Sequence, residues 1–184
     1  MRKKNNNSEK EQRAEGLIQI QAVADDGSKR RGEAAEAAFL AKACSLRLVV
    51  CKPWGDSERY DLVVDHGKGF WRVQVKGKWA PRRSNYTVST ENNSGRTYTR
   101  DEIDFFVVHV VIEIVWYVVP IEVAEGRKSL SFNPRSRRNA KYERYREAWC
   151  LLDCSRKVRG WKDIPVLCRS EEVGVRCAVC PLRK

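Results

Sequence analysis

Histidine is scarce: the 184 residues include only two, His66 and His109. One falls in a glycine-rich turn and the other in an apolar run, so neither makes a convincing general base. Acidic side chains are in deficit, 24 against 36 lysines and arginines, for a net charge of +12. The opening MRKKNNNSEKEQR lacks the basic, apolar, small-residue order of a signal peptide, and secretion is not expected. The longest apolar run, FFVVHVVIEIVWYVVPI over Phe105–Ile121, falls short of the roughly 18–20 residues of a spanning helix. It is interrupted by His109 and Glu113, and its valines and isoleucines favour strands, so no membrane partner is expected. No internal repeat is present. Seven cysteines, an odd number without a signal peptide, point to free thiols or a metal site rather than a disulfide framework.

What is present is one domain's worth of chain with 42% hydrophobic residues, enough to form a core. The charge is uneven. Residues 1–32 carry a net +3, residues 33–123 are neutral and residues 124–184 carry +9. Basic flanks around a neutral centre suit a protein that grips phosphate backbones. The first 27 residues read as a polar tail with at most a short helix around Ala14–Ala24. A helix follows from Ser28 or Gly32 through GEAAEAAFLAKACS, with Ala34, Ala37, Ala38, Leu40 and Ala41 as its apolar stripe. Strands are predicted at Leu46–Lys52, Arg59–Asp65, Phe70–Lys78, Tyr86–Thr90, Phe105–Val111 and Val115–Pro120. A second helix is predicted over Arg137–Leu152, with Tyr142, Tyr145 and Trp149 along one face. The order implies an α/β fold with helices flanking a mixed sheet.

The chemistry concentrates on two strands and the first helix. Asp61 lies where the chain leaves a turn, and Gln74 and Lys76 project from one face of the next strand. A hairpin of this length brings that face beside Asp61. Carboxylate and carbonyl oxygens suit a hard cation such as Mg²⁺, which activates water and neutralises charge developing on a phosphate. A neighbouring lysine stabilises the transition state. Glu36 supplies a second carboxylate if its helix crosses the sheet; Glu33, a turn earlier, is less well placed. Taken singly, each of these is an ordinary polar side chain on a helix or strand. Their weight is joint.

The segments RGEAAEAAF, ERYDLVVD, FWRVQVKGK, RTYTRDEIDFFVVHV, WYVVPIEV and KYERYREAW together resemble the PD-(D/E)XK nuclease superfamily. The resemblance runs from about Lys29 to Trp149, and is narrower toward the homing endonucleases of bacterial group I introns. It implies a restriction-endonuclease-like core and an active site of Glu36, Asp61, Gln74 and Lys76, with the first three as Mg²⁺ ligands. Gln74 stands where most of the superfamily has an acid, a substitution typical of the intron-encoded group. A neutral carbonyl leaves Glu36 more of the cation's charge to balance. The expected function is Mg²⁺-dependent cleavage of double-stranded DNA by a chain that acts as a dimer or tetramer, since one site cuts one strand. A junction resolvase, a restriction or repair nuclease, or an inactive DNA-binding module are the alternatives. The expected location is cytoplasmic, at the nucleoid.

Around this centre, Lys78, Arg82, Arg83, Arg96 and Arg100 on the following loop, and Arg135, Arg137 and Arg138 further on, are the candidate DNA contacts. Trp54, Trp71 and Trp79 are expected in core or hairpin packing, and Cys44 and Cys51 in the core. Cys150, Cys154, Cys177 and Cys180 form a candidate structural Zn²⁺ site built on a Cys-x-x-Cys knuckle. The expected organisation is a basic tail over residues 1–28, a nuclease domain over 29–152 and a cysteine-rich extension over 153–184.

Overall fold

The structure, a computed structural model, describes residues 27–55, 57–136 and 140–153. Helix α1 spans Ser28–Ser45. It stops where Arg47 takes a left-handed φ of 60° and the Leu46 N–H turns back to the Lys42 and Ala43 carbonyls. Strands β1 (Val49–Cys51), β2 (Leu62–Asp65) and β3 (Phe70–Lys78) follow as an antiparallel meander. After β4 (Tyr86–Ser89), the chain returns as β5 (Phe105–Val110), parallel to β3, and then β6 (Val115–Pro120), antiparallel to β5. The five-stranded mixed sheet thus runs β1-β2-β3-β5-β6. Short helix α2 (Ile121–Ala124) leads to β7 (Ser129–Phe132), which pairs with β4 in a separate two-stranded sheet. A 3₁₀ turn at Glu143–Tyr145 and helix α3 (Cys150–Asp153) complete the described chain.

Strand alternation sorts the sheet into two faces. On the first, α1 sets Ala35, Phe39 and Ala43 against Leu62, Val64, Trp71, Val73, Val75, Phe105, Val107 and Val118. On the second, Phe106, Val108, Val110, Val115, Tyr117 and Val119 meet β4, β7 and the loop residues Tyr98 and Ile103. The continuous apolar run of β5 and β6 is therefore a hairpin buried on both faces. Among the described residues, no helix is long and apolar enough to cross a membrane. His109, within this run, stacks on Trp116 at 3.9 Å, and burial lowers its pKa to about 4. The small sheet does not extend over β1 and β2, so Val49, Cys51 and Phe70 remain exposed.

Several expectations change. The helix expected over Arg137–Leu152 is not one helix across its described residues, 140–152. Tyr142 and Tyr145 join the second-face cluster while Ala148, Trp149 and Leu152 join the first, so the segment crosses the edge of β6. A straight helix cannot bury one stripe on both sides of a sheet. Glu147, at a left-handed φ of 50°, makes that crossing: its N–H donates to the Trp116 carbonyl, and its carboxylate accepts the Trp116 N–H and the Trp149 indole N–H. The edge strand is thereby capped. The stripe of α1 is Ala35, Phe39 and Ala43, rotated from the alanines expected, because the bulk of Phe39 sets which side faces the sheet. Cys44 and Cys51 are exposed, not core, and Trp54 is wholly exposed at the tip of its loop. Trp71 and Trp79 are buried as expected. The strands at Leu46–Lys52 and Arg59–Asp65 are shorter, and Asp61 lies just before β2. The Ala14–Ala24 helix, Arg137, Arg138, Cys154, Cys177 and Cys180 lie outside the described residues.

Candidate active site

Three elements place the four side chains. The Asp61 N–H donates to the Val73 carbonyl at 3.0 Å, which seats Asp61 opposite Gln74 as the β2–β3 ladder begins. The Asp61 carboxylate then accepts two hydrogen bonds on one oxygen, Oδ2: the Gln74 side-chain amide at 2.7 Å and the Val75 N–H at 2.7 Å. Gln74 is only 6% exposed. Its amide donates to Asp61, which leaves its carbonyl oxygen as the acceptor end. Lys76, two residues along the same strand face, is half-buried, with Nζ 5.7 Å from the centre of the Tyr98 ring.

Glu36 arrives from α1 because β3 has a glycine beside the lysine. A Cβ on Gly77 would lie 2.9 Å from the Ala35 Cβ and closer still to a Trp79 ring carbon, so only glycine lets the helix come this close. Glu36 follows Ala35 and is half-buried at the same crossing. Its Oε2 receives Lys52 Nζ at 2.8 Å.

The electrostatics are costly. Burial raises the Asp61 pKa, with Glu36 adding to the rise, while the Val75 N–H, Lys76 and Gln74 oppose it. Burial lowers the Lys76 pKa, with Asp61 opposing. The site thus holds an acid and a base each in an environment that disfavours its charge, a common state for functional groups. The donors are all oxygen: two carboxylates and one amide carbonyl. That set fits a hard divalent cation, and the excess negative charge is what such an ion relieves. Among the described residues no three His, Cys, Asp or Glu side chains converge, so an ion here would rely on the neutral Gln74 oxygen beside two acids.

Sequence reasoning missed Tyr98 and Lys52. Tyr98 sits in a polar loop that reaches Lys76 only because the chain returns through β5, and burial followed by the Asp61 charge raises its pKa. Lys52 follows β1, and nothing local in the sequence connects it to Glu36, 16 residues earlier. Among the acids after the loop, Asp104 accepts the Arg72 N–H at 2.8 Å and its guanidinium at 3.1 Å. Glu102 accepts the Thr99 N–H at 3.0 Å. These roles are structural.

The candidate DNA contacts are dispersed. Lys78 ends β3, half-buried; Arg82 and Arg83 are exposed before β4 and Arg96 after it. Arg100 donates to Glu125 at 3.0 Å, and Arg135 to Glu113 at 2.8 Å, so both have carboxylate partners in the free protein. Of the proposed zinc ligands only Cys150 is described, half-buried at the start of α3.

A mixed sheet with a half-buried acid, an amide and a lysine at the β2–β3 junction and a glutamate from the crossing helix is the arrangement of the restriction-endonuclease-like nuclease fold. The family model for PD-(D/E)XK endonucleases matches residues 27–152, and the chain belongs to that family. It is similar to the solved structure of a bacterial homing endonuclease, I-Ssp6803I, at 30% identity over 69% of this chain and 91% of that one, with a TM-score of 0.60. A Holliday junction resolvase from Archaeoglobus fulgidus, Hjc, aligns over 56% of this chain and 84% of its own at 13% identity and a TM-score of 0.37. No curated protein matches the chain.

Proposed function

We propose that this chain is a Mg²⁺-dependent endonuclease that hydrolyses phosphodiester bonds in double-stranded DNA, and that it serves the homing of a group I intron. The observation that carries the reading is the doubly hydrogen-bonded Asp61 carboxylate flanked by Glu36, Gln74 and Lys76. The similarity to a homing endonuclease supports the narrower role. Asp61, Glu36 and the Gln74 carbonyl would hold the cation. When bound, the ion supplies a water of lowered pKa and positive charge for the phosphate oxygens. The Val75 N–H and the Gln74 amide fix Asp61 so that its second oxygen is presented in one orientation. Lys76, kept from water by burial, places its charge where negative charge develops on the phosphate. Tyr98 backs the Lys76 ammonium with its ring face. Lys78, Arg82, Arg83 and Arg96 grip flanking phosphates, and the residues after 153 add basic charge. Each chain holds one such site, so cutting both strands takes at least two copies.

The test is a supercoiled plasmid carrying the uninterrupted allele of the intron's host gene, incubated with full-length protein and Mg²⁺. The expected result is a double-strand cut at the insertion point, absent with Asp61→Asn and absent when the intron interrupts the site. Failure to cut either plasmid, with DNA still bound, would instead mark a DNA-binding module without catalysis.

A further inference from the structure

The acidic pair faces two lysines that are not equivalent. Lys76 lies inside, half-buried on β3, and faces Asp61. Lys52 lies outside, one residue past the end of β1, and its Nζ is 2.8 Å from Glu36 Oε2. The loop that begins at Lys52 ends at Asp61, so both of its ends are anchored at the site.

Glu36 needs a counter-charge in the absence of metal. It is close enough to Asp61 for the two carboxylate charges to act on each other, and the Lys76 ammonium lies against the Tyr98 ring rather than on Glu36. We propose that Lys52 is a positioning residue: its ammonium holds Glu36 in the metal-free site in place of the cation's charge, and gives Glu36 up when a divalent cation binds. This rests on the metal-binding reading of the site. The pair is built to be broken. The Lys52 side chain is 56% exposed and that of Glu36 is 21% exposed, so their ion pair is screened and of low net strength. The ammonium sits on a flexible four-carbon stem with no other hydrogen bond among the described residues, so it can leave without disturbing the sheet. A buried bidentate arginine at this place would lock Glu36 instead.

The test is calorimetric titration of Mn²⁺, a hard-cation probe, into the full chain at low ionic strength without DNA. Lys52→Met removes the competing charge and is expected to tighten Mn²⁺ binding roughly two- to fivefold, the range set by a screened ion pair. Lys52→Arg keeps the competitor and is expected to bind no tighter than wild type. The Lys52→Met gain should shrink in a Glu36→Gln background; a gain that persists in full would overturn displacement from Glu36. So would Mn²⁺ affinity that is unchanged or weaker in Lys52→Met, while wild type binds and Asp61→Asn does not; the metal site would then stand without this role for Lys52. Wild type that binds no Mn²⁺ would overturn both.

Discussion

The two ends of the central sheet are built on opposite terms. At one end, β5 and β6 are buried on both faces, so nearly every side chain of FFVVHV and VWYVVP serves one core or the other. At the other, β1 and β2 are covered on one face only, by α1, and leave Val49 and Cys51 in solvent; Phe70, at the start of β3, is exposed as well. The strand β3 joins the two. Its Trp71, Val73 and Val75 belong to the core, while Gln74 and Lys76 face the boundary where cover runs out. The lesson is that the buried end supplies stability and the open end supplies room. At the boundary Gln74 stays buried while Asp61 and Lys76 are only half-buried.

Removing function from the boundary should have the largest effect. Asp61→Asn is expected to reduce cleavage by about 10³-fold or more, and Lys76→Ala by about 10²-fold, measured as single-turnover rates on duplex DNA. Lys76→Arg should not restore the rate, because a planar guanidinium is not a compact charge. DNA affinity in a filter or mobility assay should survive Asp61→Asn, since the change removes a negative charge near the phosphate.

The contrast between the ends can be broken by matched valines. Val107, 0% exposed on β5, should cost about 2 kcal/mol when changed to alanine. Val49, 60% exposed on β1, should change stability by less than about 0.5 kcal/mol in a denaturant melt. Equal losses would mean that the open end is covered in solution.

The crossing that ties the ends together depends on Gly77. Gly77→Ala forces α1 off β3 and should cost about 1–2 kcal/mol while also lowering cleavage, because Glu36 moves with the helix. A variant that loses stability but keeps the wild-type rate would detach Glu36 from the site. The β5–β6 turn should give a gain instead of a loss. Ile114 is exposed and held at a left-handed φ of 52°, a poor conformation for a β-branched residue. Ile114→Gly should stabilise by up to about 1 kcal/mol and leave cleavage unchanged.

The fold was legible in the sequence where one period dominated. The alternation of FWRVQVKGK gave β3, and the doubly buried run gave β5 and β6 with a turn between. Asp61, Gln74 and Lys76 were legible together because a single antiparallel register joins them. The closing segment was not, because KYERYREAW has helical spacing but its aromatics are drawn to opposite faces of the sheet. Trp54 defeats a hydrophobicity rule: its neighbours Pro53, Gly55 and Asp56 are turn-forming residues, and that preference outweighs the pull of its ring toward the core. Tyr98 and Lys52 were illegible for a different reason. Each meets the site through chain that returns from elsewhere, and that geometry leaves no local signature.

The central claim is that the boundary site spends stability on charges held for a cation. The sign follows from Asp61. Its folded carboxyl binds a proton more tightly than the ordinary value of 3.8, so the stability it lends is full below that pH and lost as pH rises through the raised folded pKa. At neutral pH the ionised group is therefore a cost. The direct measurement is the thermal midpoint of wild type and Asp61→Asn at pH 7, with and without Mg²⁺, repeated near pH 3.5. Without metal, Asp61→Asn should melt above wild type at pH 7, and the gap should narrow in acid. Mg²⁺ should raise the wild-type midpoint and leave the variant where it was. A variant that melts below wild type at pH 7, with both shifted equally by Mg²⁺, would contradict the account.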